Sequence, residues 1–206
     1  MEQTNRTEEK EQLKMLKFFK ENEESRLYQI PEGYYIRTAK LEDGPAWCKC
    51  CLNGCLGVEE CSVDLFKERM LDDPSVSLDN IFLICDSEGK IAGTATARLP
   101  IAKHYPDAGI LHMVAVADEY KGKGLAGPVC EAAVNRVKSM GYDKCFLTTD
   151  DHRIPAIKIY IKLGFLPIIN SDEMRARWEN ILKQININSI DALDENLSPI
   201  APVETK

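Results

Sequence analysis

The chain has 206 residues, of which 44% are hydrophobic and 29% are charged, as is ordinary for a soluble globular protein. That length suffices for one well-buried domain with extensions. The net charge of −7 argues against non-specific binding of nucleic acid and favours a cationic or amine substrate. No apolar run approaches the roughly 20 residues of a membrane helix, and the polar N-terminus has no secretory signal. Eight cysteines without an export signal predict reduced thiols and a cytoplasmic protein.

The N-terminal segment, residues 1–30, is rich in Glu, Lys and Gln. Within it, Leu13, Leu16 and Phe19 are spaced for a single helical stripe. This pattern predicts a polar, partly helical extension. The extension would be either solvated or docked, on the domain or on a partner.

The domain proper is expected from residue 31 and opens with a strand and a helix. Tyr34–Thr38 is rich in aromatic and β-branched residues, which favours a first strand. Asp43 is expected to cap the helix that follows, because Pro45 then falls in its first turn.

Five cysteines cluster in and after this helix, and they invite interpretation as a metal site: Cys48, Cys50, Cys51, Cys55 and Cys61. Three of them stand at helical positions i, i+3 and i+7, where a thiol acts as a small buried hydrophobe. No second Cys-x-x-Cys pair or histidine completes a zinc site. The core interpretation is therefore preferred, and no metal is expected.

The next elements are strands. Asn80–Asp86 and Lys90–Leu99 are two β-rich runs joined by Asp86-Ser87-Glu88-Gly89, whose composition predicts a hairpin. Ile110–Val116 is an apolar run that predicts a further strand.

A glycine-rich stretch, Lys121-Gly122-Lys123-Gly124-Leu125-Ala126, then leads into a helix. The helix is indicated by a stop at Gly141 and by one apolar face, formed by Val129, Cys130, Ala133, Val134, Val137 and Met140. Glycines let backbone N–H groups approach an anion closely, and a helix start adds partial positive charge. With the two lysines, the stretch predicts a phosphate or pyrophosphate cradle; a simple tight connection is the alternative.

Two common phosphate motifs do not explain the stretch. The Walker pattern requires Gly-Lys-Ser/Thr, but Gly124 is followed by Leu125. Gly122, Gly124 and Gly127 do fit the Rossmann spacing. However, no strand ending in an acidic residue follows at the distance that a ribose requires, since Asp143 opens a strand instead.

After the cradle helix, Lys144–Thr149 predicts a strand parallel to Ile110–Val116, because the two flank a crossover. Asp151-His152-Arg153 precedes a further helix, which Gly164 ends, and Phe165–Ile169 predicts the last core strand.

The C-terminal region is predicted to begin with a final helix. Asn170 and Glu173 suit a capping box for it. Residues 184–206 include Pro199 and Pro202 and are expected to form a mobile tail. The domain is therefore assigned to residues 31–183.

Two of these stretches resemble the signatures of the GCN5-related N-acetyltransferase (GNAT) superfamily. Lys121-x-x-Gly124-x-Ala126 looks like its motif A, Gln/Arg-x-x-Gly-x-Gly/Ala. Ala156 through Phe165, with Tyr160 and a closing Leu-Gly-Phe, looks like its second signature. The resemblance is firm over residues 110–167. The sequence departs from the family pattern at Lys121, which replaces Gln or Arg, and at Arg153, where many members carry Asn.

The resemblance implies a mixed, mostly antiparallel twisted sheet with helices on both faces, and acetyl-CoA bound where two parallel strands splay apart. It implies an acyl-CoA-dependent N-acyltransferase acting on a primary amine of a small molecule or a protein. The cofactor-binding residues that it implies are Met113, Val114, Ala115, Val116, Lys121, Gly122, Lys123, Gly124, Leu125, Ala126 and Gly127. A non-catalytic acyl-CoA-binding module and, more remotely, a nucleotide-binding protein are the alternatives.

The catalytic candidates are Tyr160 and His112. The resemblance implies that Tyr160 is the general acid toward the leaving thiolate; the alternative is a tyrosine at the edge of the core. His112 lies in a predicted core strand, where an imidazole accepts the amine's proton or is simply a buried, satisfied side chain. Asp150, Asp151 and His152 are weaker candidates for the base.

The resemblance also implies that Gly54–Glu60 and a helix over Ser62–Leu71 wall the acceptor pocket. Glu59 and Glu60 are either attractants for an amine or ordinary solvated carboxylates. The sequence leaves the acceptor unidentified and a homodimer open.

Overall fold

The computed structural model describes residues 10–20, 27–52, 56, 60–101 and 105–205. The strands are β1 (Leu13–Phe18), β2 (Tyr34–Thr38), β3 (Ile81–Asp86), β4 (Ile91–Arg98), β5 (Gly109–Val116), β6 (Lys144–Thr149), β7 (Leu166–Ile168), β8 (Ser189–Leu193) and β9 (Pro199–Glu204). The helices are α1 (Gly44–Cys51), α2 (Val63–Phe66), α3 (Ala126–Ser139), α4 (Ile154–Lys162) and α5 (Asp172–Ile185). A π-helical turn over Lys67–Leu71 continues α2.

One twisted sheet contains all of these strands, in the order β2-β3-β4-β5-β6-β1-β7-β8-β9. Most neighbours are antiparallel, while β5–β6 and β7–β8 are parallel. The parallel pairing of β5 with β6 is limited to Gly109–Cys145 and Ile110–Phe146, so the two strands separate beyond that point. The predicted mixed sheet and the predicted splayed pair are both confirmed.

Helices cover both faces of the sheet, as the sequence predicted. α3, α4 and α5 contribute to the larger core, where Val134, Ile157 and Trp178 are almost fully buried. α1 and α2 pack on the other face, where Trp47 lies 5.0 Å from Phe66 between ring centroids. Cys48 and Cys51 belong to that second core, as expected for small hydrophobes, whereas Cys55 lies outside the described residues.

The predicted helix in the N-terminal segment is wrong, because residues 13–18 form β1. This strand lies between β6 and β7, near the middle of the sheet. Leu13 and Met15 enter the larger core, to which α3, α4 and α5 contribute, while Leu16 enters a small cluster with Phe146 and Ile168. A strand that is buried on both faces lacks the polar alternation by which strands are recognised. The sheet therefore extends beyond the boundary assigned at residue 31.

The predicted mobile tail is also wrong over residues 184–205. The final helix extends to Ile185, and β8 and β9 form an antiparallel hairpin. Asp194 organises the turn, since its carboxylate accepts hydrogen bonds from two backbone N–H groups, of Asn196 and Ser198. β9 is an edge strand, which tolerates Pro199 and Pro202 because one side of it needs no ladder hydrogen bonds.

Two predicted helix caps differ in detail. Asp43 precedes α1 but makes no side-chain cap; its carboxylate instead binds Arg37 and accepts a hydrogen bond from the Lys40 N–H. The cap of α5 is Ser171, one residue after the predicted Asn170, and its Oγ accepts from the Met174 N–H at 3.1 Å.

Among the described helices, none has both the length and the apolar character needed to cross a bilayer. Over the same described residues, no three His, Cys, Asp or Glu side chains are grouped to hold a metal ion. The seven cysteines that the structure describes are free thiols.

Candidate active site

The glycine-rich stretch forms an open turn between β5 and α3. Gly122 and Gly124 have φ angles of 78° and 75°, in the left-handed region that favours glycine. A Cβ added at either position would meet nothing within 4 Å, so the turn faces open space. α3 begins at Ala126, and Pro128 falls in its first turn, where a missing N–H costs little. This is the geometry of an anion cradle at a helix N-terminus.

A groove of about 640 Å³ runs from this turn along β5 to α4. Nine of the predicted cofactor-binding residues line it: Val114, Ala115, Val116, Lys121, Gly122, Gly124, Leu125, Ala126 and Gly127. Two others lie elsewhere. Lys123 sits over the Tyr120 ring, with its Nζ 4.7 Å from the centroid, and Met113 lines a second cavity. Lys121 is 60% exposed and pairs with Asp118.

One wall of the groove comes from a segment that the sequence did not single out. The backbone N–H groups of Leu27 and Tyr28 donate to the buried carboxylate of Glu131 on α3. The Tyr28 ring lies against Gly127, and the Lys162 Nζ is 4.3 Å from its centroid. Gly127 thus serves chiefly to accommodate this ring.

β5 is irregular where it pairs with β4, beside the splay. Thr94 pairs with Ala115 and Thr96 with His112, so Met113 and Val114 together oppose the single residue Ala95, which is a β-bulge. Met113 has a φ of 48°, which is uncommon for a residue with a side chain. Beyond Ile110, the opposite edge of β5, which faces β6, pairs with no strand among the described residues. Its backbone groups are therefore available to an extended ligand.

A second cavity, of about 310 Å³, lies on the other side of the splay. We call it the acceptor cavity. Gln12, Arg98, His112 and Thr148 give it a polar lining. It shares three residues with the groove, Val114, Arg153 and Tyr160. The two cavities therefore meet at the point where β5 and β6 separate.

Tyr160 stands at this junction on α4 and is only 6% exposed. Its ring packs edge-on against Phe165, with 6.1 Å between centroids. The buried Lys17 of β1 donates from its Nζ to the Leu163 carbonyl at 2.5 Å, at the C-terminal end of the same helix. A cation there suits the helix dipole and holds α4, and so Tyr160, against the sheet.

His112 lies on β5 beside the same junction and lines the acceptor cavity only. Burial lowers its pKa to about 4, with a further contribution from the positive charge of Arg98. The nearby charge of Asp73 acts in the opposite direction. His112 is therefore neutral at pH 7, which allows it to accept a proton but leaves it a weak base.

Arg98 is held in the acceptor cavity by the loop that follows α2. Its Nε donates to the Ser75 Oγ at 2.7 Å, and its Nη2 pairs with Asp73. The Arg98 side chain is 17% exposed. Arg98 was missed at the sequence level because no local motif marks it.

The residues at the end of β6 are held by salt bridges. Arg153 pairs with Asp150 at 2.9 Å, and the Gln12 amide of the N-terminal segment donates to the same carboxylate. Asp151 pairs with Arg177 and Lys10; hydrogen bonding to Arg177 is the main cause that lowers its pKa to about 2. That carboxylate is therefore engaged and unsuited to remove a proton near neutral pH.

The other weaker candidate for the base, His152, lines the groove and not the acceptor cavity.

Of the predicted acceptor wall, residues 53–55 and 57–59, including Glu59, lie outside the described residues. Glu60 borders a separate surface hollow with residues of α2, which does not join the acceptor cavity. Gln12 was missed as a cavity residue because its segment was interpreted as a helix.

Comparison with known proteins places these features in context. The profile of the acetyltransferase (GNAT) family matches residues 55–165, more than half of the chain. A curated mycothiol acetyltransferase from Corynebacterium aurimucosum is 38% identical over 64 residues, which cover 31% of this chain and 21% of that protein. The chain thus matches about a fifth of the length of this relative.

Solved structures share the fold. A GCN5-related N-acetyltransferase from Sphaerobacter thermophilus superposes with a TM-score of 0.55 at 16% identity, over 76% of this chain and 48% of that one. A chain of the NatC complex bound to Gag peptide and CoA gives a TM-score of 0.50 at 18% identity, over 65% of this chain and 84% of that one.

Proposed function

We propose that this chain, which belongs to the acetyltransferase (GNAT) family, transfers an acetyl group from acetyl-CoA to a primary amine. The observation that carries the proposal is the meeting of two cavities at Tyr160. A groove ending in an anion cradle suits a pyrophosphate-bearing thioester, and a separate polar cavity opens on the same point. Donor and acceptor would therefore approach each other from opposite sides of the splayed strands.

The donor would be held mainly by backbone. The amides of its pantetheine arm would pair with the free edge of β5, as an added strand does. Its pyrophosphate would lie at the turn of Gly122 and Gly124, where N–H groups and the start of α3 favour negative charge. The strained bulge at Met113 would direct a backbone N–H toward the thioester carbonyl and polarise it.

The reaction forms a bond from the amine nitrogen to the acetyl carbon and breaks the bond from that carbon to sulfur. The amine must be neutral to attack, and the guanidinium of Arg153, which lines both cavities where they meet, disfavours its protonated form. Tyr160 would donate its proton to the leaving thiolate. His112, neutral and weakly basic, would pass the proton lost by the amine on to solvent.

The test combines calorimetry of acetyl-CoA binding with an assay of thiol release across a panel of amines. Tyr160→Phe should lower kcat about 100-fold while the Kd for acetyl-CoA stays unchanged, because only proton donation is removed. Tyr35→Phe, at a position that is 44% exposed, is the matched control and should leave both constants unchanged.

Two outcomes would overturn the proposal. If the wild type binds acetyl-CoA but no amine stimulates thiol release, the chain is a non-catalytic acyl-CoA-binding module. If the wild type gives no binding heat with acetyl-CoA, the groove serves another ligand.

A further inference from the structure

The charge lining the acceptor cavity is opposite in sign to the charge of the whole chain. The chain carries a net charge of −7, yet the described lining includes two arginines, Arg98 and Arg153, and no carboxylate. Their partners, Asp73 and Asp150, are not among the described lining residues. Asp73 and Asp150 offset part of this positive charge, but the described lining offers no negative group to pair with an acceptor that is only a cation.

Arg98 is oriented toward this cavity by two fixed contacts. The Ser75 Oγ accepts from its Nε at 2.7 Å and Asp73 from its Nη2, and Asp73 is itself held by the Ser75 N–H at 2.9 Å. Among the described residues, its third nitrogen, Nη1, has no hydrogen-bond partner. A guanidinium fixed in this way beside the cavity, on a side chain that is only 17% exposed, is suited to bind a carboxylate.

We infer that the acceptor is an amine that also carries a carboxylate, and that Arg98 binds that carboxylate. This inference rests on the proposed acetyl transfer. An acceptor with both charges is neutral overall, so it enters the basic cavity without net repulsion. Its carboxylate then pairs with Arg98, while its amine lies toward Tyr160 at the junction.

His112 is placed to report this binding. It lines the same cavity, opposite Thr96 on β4, and the charged groups that act on it there are Arg98 of β4 and Asp73 of the loop after α2. The positive charge of Arg98 contributes to its low pKa. A carboxylate bound to Arg98 would offset that charge and so raise the pKa of His112.

The experiment compares ω-amino acids with the corresponding ω-amino amides, which keep the amine and lose the negative charge. For the wild type, kcat/KM should favour the acid of each pair. Arg98→Gln should lower kcat/KM for the acids by about 10- to 100-fold and affect the amides little, because a charge-assisted hydrogen bond is lost. Arg98→Lys retains the charge, so its kcat/KM for the acids should lie between the values of the wild type and Arg98→Gln. The KM for acetyl-CoA should be unchanged in both variants.

Arg175→Gln is the matched control, because it removes the same charge from an arginine bound to carbonyls of β9. It should not alter the preference for acids over amides. A wild type that prefers the amides, or an Arg98→Gln variant that loses equal activity on both acceptor types, would overturn the inference. If only the amides are acetylated, this inference fails but the proposed acetyl transfer stands. Failure of the inference can therefore be distinguished from failure of the proposed function.

A second measurement does not depend on turnover. The chain has three histidines, so 15N-labelled histidine gives a simple NMR titration, with His112→Gln assigning the signal. Trifluoroacetate, a carboxylate that stays ionised at the pH where His112 titrates, is added at constant ionic strength and should raise the titration midpoint of His112 in the wild type but not in Arg98→Gln. An unchanged midpoint in the wild type would overturn the inference even if no panel amine is acetylated.

Discussion

The groove and the acceptor cavity lie on either side of Tyr160 but are built in different ways. Except for Tyr28, the described lining of the groove comes from two stretches of the chain, residues 114–130 and 152–160, and the turn at its end is glycine-rich. The polar wall of the acceptor cavity comes from separate strands and segments: Gln12, Arg98, His112, Thr148 and Arg153. In the proposed function, the phosphates and amides of the donor bind backbone groups, which a short continuous stretch of the chain can supply. The acceptor binds side chains, and these come from distant positions in the sequence.

The largest expected effect tests the groove. Gly124→Glu places a carboxylate in the proposed pyrophosphate site, where like charges should raise the Kd for acetyl-CoA by about 100-fold or more. Gly141→Glu is the matched control, because Gly141 also has a positive φ, 90°, and faces open space at the end of α3. Both variants carry a similar backbone strain of about 1 kcal/mol, because both place a side chain at a positive φ. A difference in Kd between them, measured by calorimetry, therefore reports the effect of the new carboxylate on binding. Equal loss of binding in the two variants would contradict the cradle.

The next effect tests the acceptor cavity through pH. The pKa of His112 is about 4 in the folded protein, below its ordinary value of 6.5. Between these pH values the unfolded chain binds more protons, so stability is full above pH 6.5 and is lost as the pH falls toward 4. This histidine should account for at most about 3 kcal/mol of that loss.

His112→Gln should flatten this part of the stability profile, as measured by denaturant unfolding at several pH values. Groups shared by both proteins, such as Asp151, cancel in the difference. A parallel pair of profiles would show that His112 titrates normally and that the acceptor cavity is wetter than its geometry indicates.

The smallest effect tests the wall that Tyr28 gives to the groove. Gly127→Ala would place a Cβ against the Tyr28 ring and should destabilise the protein by about 1 kcal/mol through overpacking. In a Tyr28→Ala background the same substitution should instead stabilise α3 by about 0.5–1 kcal/mol, because alanine favours a helix over glycine. Unfolding free energies of the four proteins measure this change of sign. An identical effect in both backgrounds would mean that the ring does not rest on Gly127.

Prediction from sequence succeeded where the deciding interactions are local. The hairpin of β3 and β4, the glycine turn, α3 and the start of β6 were all assigned closely, because turn residues and apolar periodicity mark them. It failed for β1. The Leu13–Phe18 segment has no polar alternation, since both of its faces carry buried residues, and the strands that pair with it are more than a hundred residues away in sequence.

The C-terminal hairpin failed for a related reason. Pro199 and Pro202 indicate a mobile tail when read alone, but they are compatible with an edge strand once β8 is in place. Whether a proline lies in an edge strand depends on the pairing of the whole sheet, and the residues next to the proline in sequence do not reveal it.

By itself, the sequence determined a glycine-rich turn between a strand and a helix, and a tyrosine-bearing helix after it, because hydrogen bonding in turns and helices depends on nearby residues. The mixed sheet was predicted from the resemblance to the GNAT superfamily. Only the tertiary structure decided what faces the acceptor. Gln12 immediately precedes β1, the strand inserted between β6 and β7, and Arg98 is oriented by a loop more than twenty residues before it. Side chains that meet across a sheet leave no spacing in the sequence, because the folded strands and not the chain bring them together.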